Sequence, residues 1–384
     1  MALNDKLVPI LVLFIIISIA LGSASLLVFK STTSSIEELR ERIAEELSSV
    51  KSNQQSIQSE LARLSILVSQ LEDKISVLTG YPLTLEDALN RTIVITSEPS
   101  RVVSLAPSIT EIIFAINASD KLVGVDDYSN YPPILNKLVE EGRIRRVGGF
   151  ANPSIETILS LNPDIVFTTT GVQAKIALHL SRLGITTIAL PEGSLQDIYY
   201  SILVLGKLLN RYEEAADLVR SISTNVTLVV TTVSDYDKPN VLFIVWPEPL
   251  FTIGSSSFIN ELITLAGGKN VFDDVEQAYP MVSPEEVVAR DPQVIIISGT
   301  DMFKSVSEFL EWARSKPGWS NITAIREGRV YILAGEYNDV IVRPGPRIAI
   351  GLEVLAAILH PQAFNITSLP EVVAPETFAL PALR

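Results

Sequence analysis

Hydrophobic and polar positions divide the chain into three stretches of different rhythm. The first is an almost unbroken apolar run from Leu7 to Phe29, with no charged residue. A helix over that run reaches about 34 Å, enough to cross a hydrocarbon core of roughly 30 Å. It predicts a membrane anchor over residues 1–34. The competing reading is a signal peptide cleaved near the small residues Gly22, Ser23, Ala24 and Ser25. The apolar run continues through Leu26, Leu27, Val28 and Phe29, which favours a retained single-pass helix.

The second stretch repeats with a period of seven. Ile36, Ile43, Val50, Ile57, Leu64, Leu71 and Leu78 occupy one position, and Arg40, Leu47, Gln54, Leu61, Val68 and Ile75 lie four residues after each. Two seam positions at alternating spacings of three and four predict a coiled coil over residues 35–80, a self-associating stalk some 65 Å long. One long amphipathic helix packed on its own globular domain is the alternative. Arg40 and Gln54 weaken the seam and are able to fix its register.

Beyond Gly80 and Pro82 the period changes again, to short β-branched runs alternating with helical patterns. Strands are expected at Arg101–Leu105, Leu122–Val125, Asp164–Thr168 and Thr186–Leu190, and the same grammar restarts at Val241–Val245, Pro292–Ser298 and Arg329–Leu333. Strand–helix–strand alternation implies parallel sheets covered by helices. The segment 212–236 lacks Gly and Pro and carries apolar residues at helical spacing. The expected fold is therefore α/β: two Rossmann-like lobes, 91–211 and 237–361, joined by one long helix over 212–236. A Pro- and Ala-rich tail, 362–384, gives no functional signal.

Composition narrows the function classes. The 384 residues carry a net charge of −14, which argues against a nucleic-acid partner, since phosphate neutralisation needs clustered Lys and Arg. With no Cys, the sequence offers no disulfide, thiolate metal site, Cys nucleophile or lipid-modified Cys; two histidines, His179 and His360, are too few for a His-rich metal site. No metal site and no cofactor are expected. Sequons at Asn90, Asn117, Asn225, Asn321 and Asn365 fit an outward-facing domain. There is no G-x-S-x-G, Walker A, G-x-G-x-x-G or H-E-x-x-H motif, so a binding role is expected rather than catalysis.

Three stretches carry a family resemblance: RVVSLAPSITEIIFAI with LVGVDDYSNYPP (101–133), VGGFANPSIETILSLNPDIVF (147–167), and FTIGSSSFINELITLAGGKNVFDD through MVSPEEVVARDPQVIIISG (251–299). In order and spacing they resemble the periplasmic substrate-binding proteins of ABC importers for cobalamin and ferric siderophores, two-lobed proteins bridged by a single helix. The resemblance implies an extracytoplasmic domain that delivers a solute to an ABC permease and its ATPase. It also implies one permease-docking carboxylate per lobe, at Glu156 and at Glu285, with Glu286 as a substitute. The cargo expected is a corrinoid or an iron chelate.

The solute is expected between the lobes, on loops at the carboxyl ends of the strands. Wall candidates in the first lobe are Pro107, Ser108, Tyr128, Tyr131, Phe150 and Thr170; in the second they are Trp246, Phe251, Tyr279, Tyr337, Asp339 and Arg343. Phe150 and Tyr279 each precede a docking glutamate by six residues, where cobalamin binders of this type tend to place an aromatic residue. Arg343 suits an anionic group on a ligand, or an ion pair with Asp339. The alternative function is a stalked, oligomeric surface protein that senses a ligand or tethers partners.

Overall fold

Which way each strand residue faces decides the architecture. The computed structural model describes residues 80–299 and 301–380, so the expected anchor and, apart from Gly80, the expected stalk lie outside the described residues. Among the described residues no helix is long and apolar enough to cross a membrane.

The chain first forms an antiparallel pair, β1 (Leu83–Glu86) and β2 (Thr92–Ile95). Five parallel strands follow: β3 (Val102–Ser104), β4 (Leu122–Val125), β5 (Arg145–Arg146), β6 (Ile165–Thr169) and β7 (Thr187–Leu190), in the spatial order β5-β4-β3-β6-β7. The second lobe holds β8 (Asn240–Pro247), β9 (Leu250–Thr252), β10 (Lys269–Asn270), β11 (Val294–Ser298), β12 (Val330–Leu333) and β13 (Val372–Val373). Its order is β10-β8-β11-β12-β13, all parallel, with β9 running antiparallel on β8.

Successive strand side chains point to opposite faces, and here both faces are buried. Val241, Phe243, Val294 and Ile296 join the core that also contains the long bridging helix, while Leu242, Ile244, Ile295 and Ile297 face a separate core built around Phe309 and Trp319. In the first lobe Val102, Ile165 and Phe167 share the bridging-helix core, and Val103 and Val166 face the other side. A sheet buried on both faces explains why these strands read as continuous apolar runs.

The bridging helix spans Tyr212–Val233, about 33 Å. Its buried stripe, Ala215, Val219, Ile222, Val226, Val229 and Val233, follows the three-and-four spacing of an amphipathic helix. The helix stops three residues short of the expected Tyr236, because Ser234 caps it and a polar segment leads into Pro239. The preceding helix, Leu195–Leu208, crosses it closely at Gly206, where an added Cβ would stand 2.4 Å from that of Ala215.

Two boundaries differ from the sequence expectation. The first lobe begins before residue 91: Asp87 accepts from the Ala189 backbone N–H at 3.1 Å and pairs with Arg91, which also donates to the Thr187 carbonyl at 3.1 Å. These bonds tie the β1–β2 hairpin to β7. The second lobe likewise extends beyond residue 361, since Val372 and Val373 of the tail add β13 to the edge of its sheet.

Candidate functional site

Topology places the site before any side chain is considered. In the first sheet the chain leaves β3 towards β4 and β5, then returns to β6 on the other side of β3. Loops at that reversal diverge and leave a crevice beyond the carboxyl ends of the strands. Ala106, Pro107 and Ser108 follow β3, Thr170, Gly171 and Val172 follow β6, and Glu192 and Gly193 follow β7; all of them wall one cavity of about 570 Å³. The second lobe closes it with Ser257 and Phe258 at the start of the Phe258–Leu265 helix, with Ala278 and Tyr279, and with Val342, Arg343 and Pro344. A mainly apolar chamber of this volume with a few convergent polar groups has the character of a small-molecule site.

Six sequence-chosen residues meet there: Pro107, Ser108, Phe150, Thr170, Tyr279 and Arg343. Phe150 comes from the first lobe and Tyr279 from the second. Tyr279 keeps half its surface in solvent, and its hydroxyl reaches Ser257. Desolvation, with the nearby Glu192 carboxylate adding to it, pushes that phenol up despite the Ser257 bond. Burial likewise pushes the Glu192 carboxyl up, and the hydroxyls of Thr169 and Thr170 offset it only in part.

Other expected wall residues lie elsewhere. Tyr131 and Asp339 line a neighbouring, more polar cavity of about 450 Å³ with Asn130, Glu336 and Arg347. Tyr337 is buried in the main core rather than turned to a cavity. Tyr128 is largely exposed and Trp246 about half exposed, and neither lines a chamber; the Trp246 indole N–H donates to the Glu248 carbonyl at 2.9 Å. Phe251 sits on β9, paired across the hairpin with Trp246.

A cross-lobe ion cluster contributes to both cavities, Arg343 to one and Arg347, Glu336 and Asp339 to the other. Glu111, on the Pro107–Ala115 helix of the first lobe, accepts from Arg347 through both carboxylate oxygens, at 2.8 and 2.7 Å, and from Arg343 at 3.1 Å. Arg343 also donates to Asn130 Oδ1 at 2.7 Å and pairs with Asp339 at 3.0 Å. Arg347 pairs with Glu336 at 2.6 Å, and its guanidinium lies 3.8 Å from the centre of the Tyr131 ring. A planar fork suits this two-sided carboxylate contact, which Lys could not reproduce. A second cross-lobe bond runs from the Leu195 N–H to Glu261 Oε2 at 2.7 Å. Burial pushes the Glu261 carboxyl up; that bond works against the rise, and Asp197 adds to it.

The expected docking carboxylates sit in matching local settings. Glu156 is exposed in the first turn of the Ile155–Ser160 helix, behind the Ser154 cap, and that helix leads into β6. Glu285 is exposed in the first turn of Pro284–Arg290, which leads into β11. A helix feeding a parallel strand begins at the carboxyl edge of its sheet, so each glutamate stands on the edge that bears its lobe's loops. Glu286 is occupied otherwise: it accepts from the Ser283 N–H at 2.7 Å and the Ser283 hydroxyl at 2.8 Å, completing a capping box. Among the described residues Glu285 has no hydrogen bond or ion pair of its own.

Sequence reasoning did not single out Glu111, Glu192, Glu261 or Arg347. Glu111 had a local signal, a lone carboxylate among apolar residues in ITEIIFAI, since a buried charge requires a partner. Arg347 repeats Arg343 four residues on, in RPGPR. Glu192, in ALPEGSLQD, carried no such mark.

Comparison with known proteins accords with this geometry. A family model described as periplasmic binding protein matches residues 102–337. Over 293 residues the chain is 30% identical to an uncharacterised ABC transporter substrate-binding lipoprotein of Bacillus subtilis, covering 74% of this chain and 88% of that protein. It is also 30% identical over 254 residues to the vitamin B12-binding protein of Vibrio parahaemolyticus, covering 65% and 86% respectively. Among solved structures, the periplasmic heme-binding protein RhuT of Roseiflexus in its apo form superposes with a TM-score of 0.60 at 25% identity, over 69% of this chain and 99% of that one. The chain belongs to the periplasmic binding protein family, as the extracytoplasmic, non-catalytic substrate-binding component of an ABC transporter.

Proposed function

We propose that the chain captures a cobalamin-like corrinoid or a ferric siderophore in the cavity between its lobes and delivers it to the permease through Glu156 and Glu285. The observation that carries this reading is the chamber itself. Both lobes supply its walls, and an aromatic residue stands on each side at Phe150 and Tyr279. Aromatic faces give a large planar ligand much contact area at little cost in side-chain entropy. The name of the Vibrio relative favours a corrinoid, whereas the Roseiflexus structure makes haem the competing cargo. A corrinoid is larger than the chamber, so its periphery would project through the mouth or the lobes would part around it.

The apolar run at 7–29 would hold the protein in the membrane as a single-pass helix, and the heptad segment would raise it as an oligomeric stalk. The absence of Cys supports this anchor, because a lipid-modified Cys is not available in this sequence. Isothermal titration with cyanocobalamin, hemin and ferric siderophores tests the cargo. Saturable binding of cyanocobalamin or a ferric siderophore is expected, with loss of about 1 kcal/mol or more when Phe150 or Tyr279 becomes Ala. Binding that ignores both substitutions would remove the cavity from the mechanism.

A further inference from the structure

Among the described residues Glu192 is the one carboxylate on the wall of this cavity, and the donors that face it are the hydroxyls of Thr169 and Thr170. The Thr170 hydroxyl donates to Glu192 Oε1 at 3.5 Å, the outer limit of a hydrogen bond; burial opposes ionisation, and it is countered only in part by the Thr169 and Thr170 hydroxyls and by no cation. The cation on the same wall is Arg343, and its two terminal nitrogens already meet Glu111 at 3.1 Å, Asp339 at 3.0 Å and Asn130 at 2.7 Å. An entering ligand therefore meets a hydrogen-bond acceptor that can carry negative charge, while the cation elsewhere on the same wall is already paired. A half-buried carboxylate held only by hydroxyl donors is poorly compensated, so a ligand that supplies a donor or a cation there gains, and one that brings a second anion loses.

The same wall carries a donor. Pro107 and Ser108 belong to the first turn of the Pro107–Ala115 helix, which has no side-chain cap, so backbone N–H groups near Ser108 lack an intrahelical acceptor. Acceptor and donor in one chamber complement an amide, which presents an N–H and a carbonyl together.

We propose that Glu192 is a specificity-determining residue, selecting neutral or cationic ligands rich in amide or other hydrogen-bond donors over polyanionic chelates. This rests on the cavity being the solute site, as read above. It divides the ligand classes compatible with the fold: an uncharged, amide-fringed corrinoid fits, and a ferric tris-catecholate or a haem with two propionates does not.

The test titrates the full chain, and its Glu192→Gln variant, with cyanocobalamin, hemin and a ferric tris-catecholate. Unchanged melting of the variant serves as the control for folding. Wild type is expected to bind cyanocobalamin tightest. Glu192→Gln should weaken that binding about tenfold, the lower range for a charge-assisted hydrogen bond, and should strengthen the tris-catecholate by a similar factor. Opposite shifts are the signature, because a merely structural role would move all three ligands alike. If the tris-catecholate binds wild type tightest, or if the variant shifts every ligand in one direction, the selection by Glu192 is wrong and the receptor reading stands. If wild type binds none of the three, while a ferric hydroxamate also fails, both readings fall together.

Discussion

Replacing Glu111 by Gln tests whether the cross-lobe cluster holds the two lobes in this arrangement. The Glu111 side chain is 3% exposed and bonds Arg343 and Arg347, themselves 14% and 9% exposed. Removing one member of a buried ion pair typically costs about 3–5 kcal/mol, because the partner is left buried and uncompensated. Here each arginine keeps a second carboxylate, Asp339 for Arg343 and Glu336 for Arg347, which lowers the expected cost to about 2–3 kcal/mol. Gln retains one carbonyl oxygen and so part of the hydrogen bonding. At roughly 2–4 °C per kcal/mol, the melting temperature should fall by about 4–12 °C. Differential scanning calorimetry reads the loss, and spin labels on exposed sites of each lobe read whether the distance distribution broadens. A double-mutant cycle with Arg347→Met should show coupling of about 1–3 kcal/mol. A melting temperature within 2 °C of wild type, or additive effects of the two substitutions, would refute the idea that the cluster latches the lobes.

Charge reversal at Glu156 and Glu285 should abolish stimulation of the partner ATPase while leaving ligand affinity within twofold; survival of stimulation would mean that docking uses other groups. Glu286→Ala should do the reverse, costing about 0.5–2 kcal/mol of stability through the lost capping box, with stimulation kept. Burial works against ionisation of Asp87, but hydrogen bonds from Arg91 and from the Ala189, Arg91 and Leu89 N–H groups outweigh it and hold the carboxyl below its ordinary value. A depressed carboxylate contributes stability in full above its unfolded value of about 3.9 and loses it as pH falls through the folded value. Urea midpoints measured between pH 5 and pH 2 should therefore fall less steeply for Asp87→Asn than for wild type. Gly206→Ala should destabilise by about 1–3 kcal/mol although Ala is the better helix former, since its Cβ would stand 2.4 Å from that of Ala215 and 2.9 Å from the Arg211 carbonyl oxygen. A rise in melting temperature would show that the two helices part easily.

Much of the scaffold was legible in the sequence because it is written in local periods. Strand runs such as Val241–Val245, the Ser283–Pro284 helix start and the amphipathic stripe of the bridging helix each depend on residues a few positions apart, and the family resemblance supplied the pairing of Glu156 with Glu285. The Trp246 side chain shows where locality ends. It reads as a wall residue at the end of a strand, yet an irregularity of register between Ile244 and Trp246 precedes it, and the half-exposed side chain lines neither cavity. Nothing in the spacing of apolar residues announces such a shift. The charged pairing in the cleft was decided by tertiary structure alone. Glu111 stands 232 residues from Arg343 and 236 from Arg347, and only the approach of the two lobes brings them together. Backbone periodicity fixes which face of an element is apolar, but the partner of a buried polar group is chosen by packing between elements. That is why the sequence determined the two-lobed frame, while the folded lobes decided that Arg343 is already paired and that Glu192 joins the cavity wall.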